Sequence, residues 1–291
     1  MHDNYFEYKG TVFPKNVTCP DDLAFVENEF QVRDDDIYNI TYPKSGTSWM
    51  IEILSLILKN GDPTWNKTVP NWDRAPWIET VGIARKLELT EEHPRLISSH
   101  LPKHYFMKSF EGSKAKVIYT IRDPKDTAVS LYYFSKMSVF FKDPENMDDF
   151  LEDFLCRDIP FGSWFNHVKG WMEMQGKDNF MFNTYEDLQK DLRGSVIKIC
   201  KFLGKDLDDK AVDSVAENVS FANMKENSMA NFTLVSSEFM DHGKSPFMRK
   251  GIVGDWKNHF TVAQNEFFDK IYKKEMQDVH VKFPWDTSME K

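Results

Sequence analysis

A lysine, a glycine and several hydroxyl residues stand together where a β-prone run passes into a helical pattern. Residues 39–51 read NITYPKSGTSWMI, which places Lys44 and Gly46 at this seam. The unpaired N–H groups and the dipole at a helix N-terminus attract anions, and a glycine lets a ligand approach the backbone. The lysine adds a full charge, and three hydroxyls add hydrogen-bond donors: Ser45, Thr47 and Ser48. The segment therefore predicts a site for a phosphate or phosphosulfate group.

This loop differs from the Walker A pattern of many nucleotide-binding proteins. Walker A requires GxxxxGK[ST], with the lysine after the second glycine. Here Pro43 stands near the opening of the loop and Lys44 precedes its only glycine. The loop is also shorter, which suits one phosphate or phosphosulfate group better than a polyphosphate with Mg²⁺. From this segment alone, an ordinary strand-to-helix turn with a surface lysine is the alternative.

A second basic segment, RKGIVGDW, begins at Arg249. Arg249 can bind an anion through two parallel hydrogen bonds, Lys250 can act as a point charge, and Gly251 allows close backbone approach. Arg122 and Ser130 flank the start of a helical pattern that follows an apolar strand, which is again a phosphate-binding arrangement. Two separated basic clusters predict a ligand with two separated anionic groups, whereas the alternative for each is a solvated basic loop.

Four β-prone runs each end at a polar side chain. They are IYNITY at 37–42, PRLISSHLP at 94–102, KAKVIYTIRDP at 114–124 and the start of NFMFNTYEDLQKDLRGSVIKICKFLG at 179–204. Helical patterns follow the first, third and fourth runs. Apolar strands that alternate with helices predict the α/β class, with a central parallel β-sheet flanked by helices. Because ligands collect at the carboxyl ends of such strands, we expect Lys44, His100, Arg122 and Tyr185 to converge there.

The amino-acid composition restricts the class of protein, its partners and its cellular compartment. The 291 residues carry a formal net charge of −9, and 41% of them are hydrophobic. This content predicts a single globular domain over 1–291 and argues against binding to nucleic acid or to an anionic membrane, which usually requires a basic protein. Cys19, Cys156 and Cys200 lie far apart without CxxC spacing, which favours free thiols over disulfides or a zinc site. With no secretory signal or membrane-spanning run visible, we expect a cytoplasmic protein.

Together these segments resemble the cytosolic sulfotransferases. The segments TYPKSGTSW and RKGIVGDWKNHFT carry the likeness, while SSHLP, VIYTIRDPKDTAVSLYYF and GSWFNHVKGW fall at the intervals expected of that family. The likeness extends from about residue 8 to 286. Three segments, YFEYKGTVFP, DRAPWIET and SSHLPKHYF, are most similar to the hydroxysteroid (alcohol) branch. In the phenol branch a lysine commonly stands two residues before the matching histidine, whereas this chain has Ser98 there.

The resemblance implies a donor, 3′-phosphoadenosine 5′-phosphosulfate (PAPS), whose two anionic groups fit the two basic clusters. The implied ligands of the 5′-phosphosulfate are Lys44, Ser45, Gly46, Thr47, Ser48 and Trp49, with Trp49 also near the adenine. The implied ligands of the 3′-phosphate are Arg122, Ser130, Arg249, Lys250 and Gly251. The residues implied around the purine are Tyr185, Ser220, Phe221 and Met224.

The resemblance also implies the reaction, which is sulfuryl transfer from PAPS to a hydroxyl of a hydrophobic acceptor such as a hydroxysteroid. Phenols and bile alcohols are the alternative acceptors, the second product is adenosine 3′,5′-bisphosphate (PAP), and no metal is expected. His100 would act as general base, and Lys44 would neutralise charge on the leaving oxygen. Ser130 would tie that lysine to the 3′-phosphate and so discourage premature cleavage. Candidate acceptor-pocket residues, each of which could equally be core, are Trp72, Pro76, Trp77, Tyr133, Phe134 and Phe140.

The sequence also bears on the oligomeric state and on two alternative classes of protein. The segment KNHFTVAQNE, Lys257 to Glu266, matches the dimer pattern of the family and implies a homodimer. A nucleotide kinase or other P-loop phosphotransferase needs a Walker A lysine and carboxylates for Mg²⁺, and the sequence has neither pattern. A non-catalytic nucleotide-binding relative is the other rival, and the presence of both His100 and Lys44 argues against it.

Overall fold

The computed structural model describes residues 3–156 and 159–286. Its strands are β1 (Tyr5–Tyr8), β2 (Thr11–Pro14), β3 (Ile37–Thr41), β4 (Leu96–Ser99), β5 (Lys116–Ile121) and β6 (Phe180–Thr184). Its α-helices are α1 (Pro20–Asn28), α2 (Thr47–Leu58), α3 (Thr64–Thr68), α4 (Asn71–Arg74), α5 (Ile83–Glu88), α6 (Pro124–Met137), α7 (Met147–Cys156), α8 (Trp164–Met172), α9 (Tyr185–Lys190), α10 (Leu192–Leu203), α11 (Asp209–Asn218), α12 (Phe221–Glu226) and α13 (Val262–Glu275). Short 3₁₀ helices lie at Lys103–Tyr105, Lys108–Phe110 and Asp255–Asn258.

The central sheet has four parallel strands in the order β4-β3-β5-β6. These are the four strands that the sequence predicts, and the α/β class with a central parallel sheet is confirmed. In the register, Ile37 lies beside both Leu96 and Lys116, and Val117 lies beside Phe180. All four carboxyl ends therefore lie at one edge, where the predicted site residues follow them. A separate antiparallel hairpin, β1-β2, was not predicted.

Several element bounds differ from the sequence prediction for identifiable reasons. Strand β4 is shorter than the predicted 94–102, because the prolines at both ends of that run cannot donate a ladder hydrogen bond. Helix α2 ends at Leu58 because Asn60 and Gly61 adopt positive φ angles of 53° and 82°. The run after β6 forms two helices, α9 and α10, so Tyr185 begins a helix instead of lying in a loop.

The two faces of the central sheet pack against separate hydrophobic clusters. Alternate side chains of β3 and β5 point to opposite faces: Tyr38 and Val117 belong to one cluster, while Ile37 and Ile118 belong to the other. The first cluster includes Trp164 of α8, and the second is built largely from α2 and α10. Helices thus cover both faces, which explains why every residue of β3 is buried.

Buried ion pairs hold the segments that enter the sheet. Arg95, just before β4, donates to Asp36, just before β3, with Nε–Oδ1 and Nη2–Oδ2 distances of 2.7 and 2.5 Å. Arg74 of α4 is paired with Glu52 of α2, and both side chains are buried. Such pairs are costly to break on one side only, because the remaining charge is left buried. The first pair ties β4 to β3, and the second ties α4 to α2.

The cysteines follow the prediction where the structure describes them. Cys19 and Cys200 carry free thiols. The side chain of Cys156 lies outside the described part of the structure.

Candidate active site

The loop between β3 and α2 is a tight turn with two residues in the left-handed region. Lys44 has φ 68°, and Gly46, the N-cap of α2, has φ 106°. A Cβ atom at Gly46 would come within 3.0 Å of a ring carbon of Tyr185, so a glycine is required both for conformation and for space. The Thr41 hydroxyl at the end of β3 lies 2.6 Å from the Thr47 hydroxyl and ties the strand to the helix start.

A cavity of about 660 Å³ opens at this edge of the sheet. It brings together all but one of the predicted donor and catalytic residues: Lys44, Gly46, Thr47, Ser48, Trp49, His100, Arg122, Ser130, Tyr185, Ser220, Phe221, Met224, Arg249, Lys250 and Gly251. Ser45 is the exception, since it is fully buried beneath the loop and does not line the cavity. Its hydroxyl finds no hydrogen-bond partner among the described residues. The two basic clusters of the sequence thus face one cavity.

Lys44 projects into this cavity without an anionic partner among the residues that the structure describes. Its Nζ atom lies 4.3 Å from the ring centroid of Phe134 and 3.9 Å from that of Phe247. Burial, with a further contribution from the positive charges of Arg122 and Arg249, lowers the pKa of Lys44 to about 7. An anion bound beside these three cations would compensate their mutual repulsion.

Arg122 joins the two basic loops. Its guanidinium donates to the carbonyl of Lys44 at 3.1 Å and to the carbonyl of Ile252 at 3.4 Å. Its central carbon lies 4.4 Å from the ring centroid of Tyr185. Because Arg122 follows β5 directly, the sheet sets the distance between the two loops.

The basic segment that begins at Arg249 is organised by two buried carboxylates that the sequence analysis did not single out. Asp255 binds Arg249 and Lys250 at 2.7 Å each. Although burial opposes ionisation, the hydrogen bonds from Lys250, Asn258 and Arg249 hold the pKa of Asp255 far below its usual value. Asp126 of α6 accepts the backbone N–H of Gly254 at 2.6 Å. Asp255 stands within the basic segment RKGIVGDW, whereas no local sequence pattern connects Asp126 with that segment.

Polar contacts on both its backbone and its ring fix His100 at the end of β4. Its backbone N–H donates to Glu79 at 2.7 Å, and its carbonyl lies 3.1 Å from Nε2 of His167. Its Nδ1 lies 2.9 Å from the carbonyl of Thr41, and its Nε2 lies 3.0 Å from Nε1 of Trp77. An indole nitrogen can only donate, so Nε2 accepts and the ring proton sits on Nδ1.

The environment of His100 keeps its imidazole neutral. Burial lowers the pKa of His100 to about 4, and the nearby Lys44 charge acts in the same direction, while the hydrogen bond to Thr41 opposes both. Burial also raises the pKa of the Glu79 carboxyl to about 7. A neutral imidazole with Nε2 at the cavity has the properties of a general base.

The purine region predicted from the sequence forms one wall of the cavity. Trp49 donates through its indole to the carbonyl of Val219 at 2.9 Å, and its ring centroid lies 5.1 Å from that of Tyr185. Ser220 is the N-cap of α12, and Phe221 packs directly beside Gly251. The rings of Trp49, Tyr185 and Phe221 all line this wall, which suits a flat base.

The apolar part of the cavity agrees only in part with the sequence prediction. Of the candidate acceptor residues, Trp72, Trp77, Phe134 and Phe140 line the cavity. Pro76 and Tyr133 do not, and for them the prediction is wrong. Tyr133 instead packs on Arg249, whose guanidinium carbon lies 4.8 Å from its ring centroid. The tertiary structure adds residues that the sequence did not indicate: Phe141, Phe161, Phe232, Val235, Met240 and Phe247.

Ser130 lines the cavity from α6 but forms no hydrogen bond with Lys44 among the described residues. Within residues 3–156 and 159–286, no group of three or more His, Cys, Asp or Glu side chains is arranged to hold a metal ion. No helix in the same ranges has the length and apolar character needed to cross a membrane.

A parallel α/β sheet that gathers cations, a neutral imidazole and an apolar pocket in one cavity defines a group-transfer enzyme with an anionic donor. More narrowly, the chain belongs to the sulfotransferase family, since residues 34–280 match the family model described as sulfotransferase domain. The resemblance found in the sequence is thereby confirmed.

Individual relatives cover almost the whole chain. Sulfotransferase 2B1 of Mus musculus is 54% identical over 286 residues, which is 98% of this chain and 84% of that protein. The 3-beta-hydroxysteroid sulfotransferase of Cavia porcellus is 48% identical over 287 residues, covering 98% of this chain and 99% of that protein. The crystal structure of mouse sulfotransferase SULT7A1 complexed with PAP has a TM-score of 0.81 and 32% identity, with 95% of each chain covered.

Proposed function

We propose that this chain transfers the sulfuryl group of PAPS to a hydroxyl of a hydrophobic acceptor such as a hydroxysteroid. The observation that carries the proposal is one cavity lined by Lys44, Arg249 and His100 together with an apolar wall. Relatives named as a hydroxysteroid sulfotransferase and as a sulfotransferase bound to PAP support the same reaction. The products are a sulfate ester and PAP.

The residues of the two loops divide between the two anionic groups of the donor. Lys44 and the start of α2 hold the 5′-phosphosulfate, while Arg122, Ser130 and the segment from Arg249 hold the 3′-phosphate. Support comes from the unpaired Lys44 ammonium in the cavity and from the Arg122 bridge between the loops. The rings of Trp49 and Tyr185 provide the purine wall.

The reaction is an in-line displacement at sulfur with proton transfer to His100. The acceptor oxygen forms the new O–S bond, its proton passes to Nε2, and the S–O bond to the nucleotide breaks. The tautomer with Nδ1–H donating to Thr41 leaves Nε2 as the accepting nitrogen. Lys44 stabilises the charge that develops on the leaving bridging oxygen.

The base assignment is tested by His100→Ala, assayed for transfer of labelled sulfate from PAPS to a panel of steroids, bile alcohols and phenols. We expect turnover to fall by about 10²–10⁴-fold while PAP affinity in calorimetry stays close to that of the unaltered protein. The matched control is His93→Ala, because His93 is exposed and pairs only with Asp35 on the surface. Near-normal turnover in the His100 variant, or an absolute requirement for Mg²⁺, would contradict the proposal.

The acceptor class is inferred from the lining of the pocket and from the relatives. The cavity wall beyond His100 is largely aromatic, with Trp72, Phe134 and Phe140 among its residues. Such a wall beside the proposed base suits a hydrophobic alcohol. Preference for phenols over steroids in the acceptor panel would overturn this part of the proposal and leave the donor assignment unaffected.

Three organisational proposals accompany the enzymatic one. We infer one domain over 1–291, because the described segments pack on the two faces of one central sheet. We infer a homodimer through the Lys257–Glu266 segment, where Val262 at the start of α13 is 75% exposed. We infer a cytoplasmic location, which the free thiols of Cys19 and Cys200 support.

A further inference from the structure

Both ring nitrogens of His100 are already occupied by partners within the protein. Nδ1 lies 2.9 Å from the carbonyl of Thr41, and Nε2 lies 3.0 Å from the indole nitrogen of Trp77. The imidazole has no third nitrogen, and Nε2 has a single lone pair in the ring plane. While the indole bond is in place, no hydroxyl can transfer its proton to this base.

The partner on Nε2 belongs to the acceptor part of the cavity. Trp77 lines that cavity together with His100. Its indole is partly buried and packs against a small hydrophobic cluster centred on Phe232, as do the rings of Trp72, Phe134 and Phe247. An acceptor that approaches Nε2 must therefore meet the indole of Trp77 first.

Hydrogen bonds hold the backbone of Trp77 in place. Its side chain can rotate, because the side chains of the cluster around it are apolar. A parallel bridge links Trp77 to Ser98, with hydrogen bonds of 3.0 Å from Ile78 N to Ser98 O and from Ser98 N to Pro76 O. Only side-chain rotation is needed to release Nε2. The neighbouring rings of the cluster provide an apolar surface for the displaced indole, which lowers the cost of the movement.

We propose that Trp77 caps the base: its indole N–H occupies Nε2 of His100 until the hydroxyl of an acceptor takes its place. This inference rests on the proposed function and concerns when the base becomes available. With the cap in place, a water molecule near the donor cannot pass its proton to Nε2 of His100. The side reaction that is suppressed is hydrolysis of PAPS, in which a water oxygen bonds to sulfur, the S–O bond to the nucleotide breaks, and the proton passes to Nε2.

Trp77→Phe removes the N–H and keeps an aromatic ring, so it tests the cap directly. The measurement is release of PAP and sulfate from PAPS without an acceptor. We expect hydrolysis to rise by about five-fold, which corresponds to the loss of one neutral hydrogen bond on Nε2. Trp65→Phe is the matched control, since Trp65 lies outside the cavity, and it should leave hydrolysis unchanged.

The double variant Trp77→Phe/His100→Ala shows whether the effect passes through the base. Because the cap acts only on Nε2, we expect hydrolysis in the double variant to equal that of His100→Ala alone. Unchanged hydrolysis in Trp77→Phe, or a rise that persists in the double variant, would overturn the cap. Normal steroid turnover in His100→Ala would instead overturn the proposed base, so the two failures are distinguishable.

A measurement on the unaltered protein keeps the proposal testable if Trp77→Phe does not fold. In ¹⁵N-histidine NMR, we expect the His100 ring to be the Nδ1-protonated tautomer, with Nε2 accepting a hydrogen bond. Addition of PAP and a 3β-hydroxysteroid should shift both the His100 Nε2 signal and the Trp77 indole N–H signal. A ring protonated on Nε2, or an indole signal that does not move, refutes the cap.

Discussion

At the scale of single residues, the electrostatic state of Lys44 decides what the proposed donor site can bind. The side chain has no carboxylate partner among the described residues and lies against the rings of Phe134 and Phe247. Cation–π contacts of this kind contribute about 0.5–2 kcal/mol, which offsets only part of the cost of burying an ammonium. Burial and the charges of Arg122 and Arg249 accordingly lower its pKa to about 7. We therefore expect Lys44 to gain a proton when an anion binds beside it.

Donor-site binding should take up a proton at pH 8. Above pH 7 the free protein holds Lys44 mostly neutral, and a bound anion raises its pKa because it favours the charged form. We expect about one proton to be taken up with PAP at pH 8, and much less at pH 6, where Lys44 is already charged. Calorimetry of PAP binding in two buffers of different ionisation enthalpy measures this uptake.

The control for proton uptake is Lys44→Met, which keeps an unbranched side chain and removes the titrating group. Proton uptake at pH 8 should disappear, and PAP affinity should fall. Glu79, whose pKa burial raises to about 7, is unchanged in this variant, so the difference between the two proteins isolates Lys44. Equal proton uptake in both proteins would show that another group is responsible.

At the scale of elements, the backbone of the loop after Arg249 shapes the proposed 3′-phosphate site. Asp126 accepts the backbone N–H groups of Gly254 and Trp256 at 2.6 and 2.9 Å, which anchors the loop on α6. Gly251 has φ 65°, and a Cβ atom there would overlap the ring of Phe221. The backbone at Gly251 therefore packs directly against the ring of Phe221, which belongs to the proposed purine wall.

Gly251→Ala should weaken PAP binding by about ten-fold, because the added Cβ would displace the Phe221 ring from the proposed purine site. Gly254→Ala is a matched control, since Gly254 has a similar φ of 80° but no neighbour within 4 Å of an added Cβ. Both variants bear the same kind of backbone strain, so the difference between them reports the contact with Phe221. Calorimetric titration with PAP compares them, and equal affinities would exclude a role for this close approach.

At the scale of the whole molecule, the proposed dimer interface includes exposed apolar side chains of α13. Val262 is 75% exposed and Phe267 is 45% exposed, although a capping box formed by Thr261 and Gln264 defines the helix start well. Both residues lie in or next to the Lys257–Glu266 segment that the resemblance associates with dimers. A second copy of the chain would cover them.

Val262→Asp should convert the proposed homodimer into a monomer, because a carboxylate would be buried without a partner at the interface. Sedimentation velocity should give twice the chain mass for the unaltered protein and the single-chain mass for the variant. Leu89→Asp is the control, since Leu89 is 85% exposed at the C-terminal end of a different helix, α5. A dimer that survives Val262→Asp, or one that Leu89→Asp also dissociates, would place the interface elsewhere.

The sequence by itself determined the donor side of this protein. The Lys44 loop, Arg122 and the Arg249 segment were predicted correctly as neighbours of one cavity, as were four parallel strands. The physical reason is local: a strand end, a glycine turn and a helix start are encoded in contiguous residues, and parallel strands bring such ends to one edge. The hairpin β1-β2 and the small helices before β4 lacked a comparably strong local pattern.

Only the tertiary structure decided the acceptor side. Trp77 meets His100 across 23 positions of the chain, and Phe247 meets Lys44 across more than two hundred. Such contacts depend on how loops cover the end of the sheet, which no local periodicity encodes. For the same reason Tyr133 was wrongly assigned to the pocket, since its helix turns it toward Arg249. Chemistry carried by contiguous residues can be predicted from sequence, whereas a pocket built from distant rings depends on packing.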